Sequence, residues 1–109
     1  MTEETRIKLM AYVVDRATES EVLAQLAEEA AELAQAALKL RRALGGPNPT
    51  RVSVEEAREA LIEEAADVDL CMELLEGGAL KGSALASAVI GDVKLRRWAD
   101  ALAQMEVGG

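Results

Sequence analysis

The chain has no histidine and no phenylalanine. It has one cysteine, one tryptophan, one tyrosine and two prolines in 109 residues. Without histidine there is no imidazole to ligate zinc, to serve as a general base or to complete a nucleophilic triad. Cys71 stands alone, so no intrachain disulfide is possible. It lies in an apolar run, where a thiol packs as a small hydrophobe. No apolar stretch reaches the roughly 20 residues that span a bilayer. Met1 to Lys8 is polar and acidic and lacks signal-peptide organisation. The expected location is a reducing cytoplasm, with no membrane association.

What is present is acidic and apolar. Twenty acidic residues against twelve basic ones give a net charge of −8, and half of the chain is hydrophobic. That is too apolar for a disordered acidic tail. The acidic surplus argues against a nucleic-acid polymer as partner, because such binding rests on phosphate contacts. A small phosphorylated substrate is compatible, since a divalent cation can bridge carboxylates and phosphates. Any metal chemistry must use carboxylates, which favours Mg2+, with Mn2+ as the alternative, over structural zinc.

Alanine, leucine, glutamate and arginine dominate, and all are good helix formers. The length fits one domain over residues 1–109. The spacing of Ile7, Met10, Ala11 and Val14 predicts a helix from Glu3 to Arg16. Thr18 with Glu21 forms a capping-box pattern and opens a helix that runs to Leu44. Gly45 and Gly46 end it, with Lys39, Arg41 and Arg42 placed to suit its negative terminus. Residues 45–53 read as an internal connector holding Pro47 and Pro49. Ser53 with Glu56 repeats the capping pattern, and the next helix is expected from Val54 to Glu76, stopped by Gly77 and Gly78. A last helix is expected from Ala84 to Met105, with Leu85, Val89, Val93, Trp98, Leu102 and Met105 on one broad face. Gly91 in that helix either weakens it or permits a close helix contact. Glu106 to Gly109 reads as a frayed end. The expected fold is all-α, a compact helical bundle. Its alanine-rich core buries little area per side chain, so completion by oligomerisation is plausible.

Two acidic pairs stand out. Glu29 and Glu32 share one side of the second helix, with Glu28 adjacent. Glu64 and Asp67 repeat the spacing on the third helix, with Glu63 adjacent. Both pairs are embedded among apolar residues. Like charges at this spacing repel, and burial would worsen the conflict unless a cation sits between them. On spacing alone, the same residues are also readable as ordinary solvated faces.

The stretch LAEEAAELAQAALKL, Leu26 to Leu40, resembles the first helix of the MazG-like nucleotide pyrophosphohydrolase core, with EExxE on Glu28, Glu29 and Glu32. LIEEAADVDLCMELL, Leu61 to Leu75, is similar to the ExxD helix of that family, with Glu64 and Asp67 as the pair. The resemblance covers about Glu21 to Leu102 and points to the short phage and bacterial type. It implies the all-alpha NTP pyrophosphatase fold, as a homodimer or homotetramer. It also implies magnesium-dependent hydrolysis of a nucleoside triphosphate to the monophosphate and pyrophosphate. Glu29, Glu32, Glu64 and Asp67 would then be the metal ligands, and Glu28 or Glu32 would hold or deprotonate the attacking water.

The segment VKLRRWADAL resembles the basic helix seen late in such chains, which makes Lys94 and Arg97 the expected phosphate contacts. A solvated basic stripe is the simpler alternative. Trp98 would stack on the base, or else pack or join an oligomer contact. GGPNPT lacks the Gly-Lys-Ser/Thr ending of a P-loop, so a Walker-type ATPase is excluded. A non-catalytic nucleotide-binding module and a structural helical oligomer are the alternative functions.

Overall fold

The computed structural model describes residues 1–45 and 51–108. The expected connector at 45–53, with both prolines, lies largely outside the described residues. Four helices follow in order: α1 (Glu3–Arg16), α2 (Glu19–Ala43), α3 (Val54–Leu75) and α4 (Ser83–Gly108). The chain is an all-α helical bundle, and among the described residues no strand occurs.

Each of the first three helices starts on a hydroxyl side chain. Thr2 Oγ1 accepts from Thr5 N–H, Thr18 Oγ1 from Glu21 N–H and Ser53 Oγ from Glu56 N–H, each at 3.1 Å. Each bond satisfies a helix-terminal donor that has no partner within its helix. Acidic residues fill the first turns of these helices, and Arg41 and Arg42 occupy the last turn of α2. Both placements suit the helix dipole. Gly45 follows α2 with φ +98°, a left-handed conformation that glycine adopts without steric cost.

α2 and α3 form an antiparallel hairpin, the one extensively packed helix pair among the described residues. Val22 of α2 packs with Cys71 and Leu75 of α3, flanked by Ala17, Leu26, Leu74 and Leu80. Leu75 is buried to 2% exposure. Farther along the hairpin, Ala36 of α2 and Ala57 of α3 are buried. α1 lies beside α3: Arg6 pairs with Glu73, and Leu9, Met10 and Val13 line a recess with Leu70 and Leu74. Both members of the ion pair are partly solvated, so it orients α1 more than it stabilises it.

The turn after α3 depends on a contact from the far side of the hairpin. Ala79 N–H donates to Oε1 of Glu19, the first residue of α2. A Cβ at Gly78 would stand 2.7 Å from that same oxygen. Gly78 therefore earns its place by allowing this close approach. Gly82, at φ +74°, supplies the left-handed step into α4.

α4 departs from expectation. It continues through Glu106, Val107 and Gly108, where a frayed end is expected; Gly109 lies outside the described residues. None of its residues is buried. Leu85, Val89, Val93, Trp98, Leu102 and Met105, the face expected to pack, are all exposed, Trp98 to 70%. A Cβ at Gly91 would meet nothing within 4 Å, so no close helix contact uses it. An amphipathic pattern states which side needs covering, and among the described residues nothing covers it. The radius of gyration, 18.1 Å, exceeds the roughly 13 Å of a tightly folded chain of this size.

Among the described residues, no helix is long and apolar enough to cross a membrane.

Candidate functional site

The hairpin register sets the two acidic pairs against each other at mid-helix. Oxygen atoms of Glu29, Glu64 and Asp67 lie within 4.8 Å of one another. Glu29 and Glu64 are half-buried. Gln25 Nε2 donates to Glu29 Oε1 at 2.7 Å and fixes one side of the cluster. The second oxygens, Glu29 Oε2 and Glu64 Oε2, are buried without a hydrogen-bond partner.

The electrostatics follow from that geometry. Burial, then sharing of a proton with Glu32 and Glu29, then the charges of both, push the Glu64 carboxyl up to about 7. Asp67 is raised as well, first by burial and then by the charge and hydrogen-bonding of Glu29. Burial, followed by the charges of Glu29 and Asp67, also raises the Cys71 thiol. Cys71 is buried and free, as its apolar run predicts, and a thiol in this setting stays protonated and inert.

The remaining sequence-selected residues divide. Glu32 faces Glu64 closely enough to raise its pKa, but it stands outside the three-carboxylate group. It lines a groove of about 650 Å³ that runs along the hairpin, with Glu64 on the opposite wall. Glu28 is exposed. Lys94, Arg97 and Trp98 are exposed on α4 and line neither the groove nor the cluster.

Sequence reasoning missed two groove residues. Lys39 and Arg42 line the same groove, with Gln35, Ala36, Leu38 and Ala60. The signal was present in the spacing: 32, 35, 39 and 42 recur at helical intervals on one side of α2. The suitability of Lys39 and Arg42 for a helix C-terminus concealed it.

No family profile, curated protein or solved structure matches the chain. No comparison supports the MazG-like identification, and the four-ligand magnesium site expected with it is corrected to a smaller group. The findings show an all-α fold with a loose acidic cluster of Glu29, Glu64 and Asp67, in place of four metal ligands.

Proposed function

We propose that the α2–α3 hairpin acts on a nucleoside triphosphate, hydrolysing it to the monophosphate and pyrophosphate with the help of a hard divalent cation, Mg2+ or Mn2+. One observation carries this reading. Three carboxylates from two rigid helices converge within 4.8 Å, and two of their oxygens are buried with no donor to satisfy them. Buried acceptors are normally paired, and oxygen-only donor sets suit hard cations. Glu29, Glu64 and Asp67 would hold the cation, whose chemistry is to neutralise phosphate charge and acidify water.

The chain's own groups do the rest. The groove volume, about 650 Å³, falls within the range of small-molecule sites. Glu32 lines it across from Glu64, and this reading makes it the carboxylate that takes a proton from water. That water adds to the α-phosphorus, its proton passes to the Glu32 carboxylate, the bridging bond to the β-phosphate breaks, and pyrophosphate leaves. Glu28, which lines neither the groove nor the cluster, is the weaker choice of base. The uncovered face of α4 favours a homodimer or homotetramer, and the all-alpha NTP pyrophosphatase type is the finer fold reading.

Incubation with a panel of ordinary and modified NTPs and dNTPs plus Mg2+ tests the proposal. Monophosphate and pyrophosphate are the expected products. Absence of turnover together with absence of metal-dependent nucleotide binding overturns it. Metal-dependent nucleotide binding with intact substrate after long incubation identifies a binding module instead.

A further inference from the structure

We propose that Lys39 and Arg42, at the far end of the α2–α3 groove from the three-carboxylate cluster, bind the phosphates of the substrate and do so in place of Lys94 and Arg97. This inference rests on the nucleotide reading above and adds to it the residues that hold the anion.

Three observations carry it. First, Lys39 and Arg42 line the same groove as Glu32 and Glu64. Second, neither forms an ion pair with any described residue, in a chain with eight surplus negative charges. Two cations left free in an acidic molecule, lining a groove, are available to an external anion. Third, their direction is right. Side chains on an α-helix lean toward its N-terminus, so both lean from the end of α2 back toward Glu32. Seven residues separate Glu32 from Lys39, about 10 Å of helix rise, and a long lysine side chain shortens that gap. The groove thus presents acids at one end and cations at the other. That polarity fits an extended polyphosphate whose one end is shared with a metal and whose other end is held by a guanidinium and an ammonium.

The α4 cations fit less well. Lys94 and Arg97 project from a helix that does not reach the groove, and the neighbouring Arg96 is engaged by Asp100 at 3.5 Å.

The test uses inorganic tripolyphosphate, which has no base to complicate the reading, added to the full chain with Mg2+ and followed by calorimetry. Mn2+ binding, followed by electron paramagnetic resonance, is measured in parallel. The variants are Lys39→Gln with Arg42→Gln, Lys94→Gln with Arg97→Gln, and Arg41→Gln as a neighbouring charge control outside the groove. Tripolyphosphate affinity is expected to fall by about tenfold or more in the first variant, as for loss of charge-assisted bonds. Mn2+ affinity and helical circular dichroism should be retained. The control and the α4 pair should bind as wild type does. Wild-type affinity in the Lys39/Arg42 pair overturns the inference, as does a loss confined to the α4 pair or an equal loss in the Arg41 control. A wild-type chain that binds Mn2+ but no tripolyphosphate also overturns it while leaving the metal site standing. A chain that binds no Mn2+ overturns the underlying reading as well.

Discussion

Glu29 of α2 and Glu64 of α3 face each other across the hairpin, each with one buried carboxylate oxygen that has no hydrogen-bond donor. The hairpin is stable enough to hold this conflict because its ends are well made. At one end Val22, Cys71 and Leu75 form the core cluster, and toward the other Ala36 and Ala57 are buried. Opposed acids between two packed regions can relieve their repulsion by retaining a proton or by sharing a cation. The two routes give different pH behaviour.

Without added metal, Glu64 holds a proton more tightly when folded, at about 7, than at its ordinary 4.5. Between those values the folded state binds more protons than the unfolded one. Its contribution to stability is therefore lost as pH rises from 4.5 through about 7. Thermal unfolding of wild type and Glu64→Gln, compared across this window with a chelator present, should show the larger loss in wild type, the variant keeping only the raised Asp67 carboxyl. Saturating Mg2+ should flatten the difference, because the cation replaces the proton. Parallel curves for the two proteins throughout would contradict the assignment.

Glu64→Gln should also remove an oxygen ligand without changing side-chain length. Losing a group that merely supports a metal ligand costs 10–100-fold in affinity or activity, so losing a ligand should cost at least about a hundredfold. Mn2+ titration and pyrophosphate release measure the two effects separately. Circular dichroism should remain helical, since Glu64 caps no helix and supports no core contact. Undiminished Mn2+ binding would sink the assignment.

The turn between α3 and α4 offers a purely structural test. Glu19→Ala removes the carboxylate that accepts from Ala79 N–H, at a cost of about 1 kcal/mol. Gly78→Ala introduces a Cβ that would stand 2.7 Å from the same carboxylate and must displace it. If both changes act through one bond, the double variant loses little more than either single one, as urea unfolding would show. Additive losses would mean two independent contacts.

Local chemistry explains why so much of the fold is legible in the sequence. The caps at Thr18 and Ser53 are decided within four residues, as are the left-handed glycine at Gly45 and the helix-forming runs between them, so α1, α2 and α3 follow within a residue or so. The pairing of Glu29 with Glu64 and Asp67 needed one further step, the antiparallel register, which a short connector between two long helices favours. Placement of Glu32 turned on that register in finer detail: it falls on the groove wall, one turn beyond the cluster. Lys39 and Arg42 were obscured because one position can serve both a helix terminus and a groove. For α4, periodicity shows which face avoids water but says nothing about what meets it.

That uncovered face yields the last prediction. Leu85, Trp98 and Met105 are each at least 70% exposed, and α4 has no buried residue along its length. An isolated helix gains little from propensity alone and owes most of its stability to packing of an apolar side. Contiguous apolar surface of this kind marks an interaction site. Pairing of α4 with another copy of the chain would bury the face and stabilise the helix in one event. Light scattering after size exclusion should therefore show a dimer or tetramer, and unfolding should depend on protein concentration. Val93→Glu with Leu102→Glu, which charges the face without touching α2 or α3, should shift the population to monomer. Far-ultraviolet circular dichroism should then lose helical signal corresponding to α4, while the hairpin keeps its Mn2+ affinity. A wild-type monomer with all four helices stable at every concentration would exclude self-association as what covers α4.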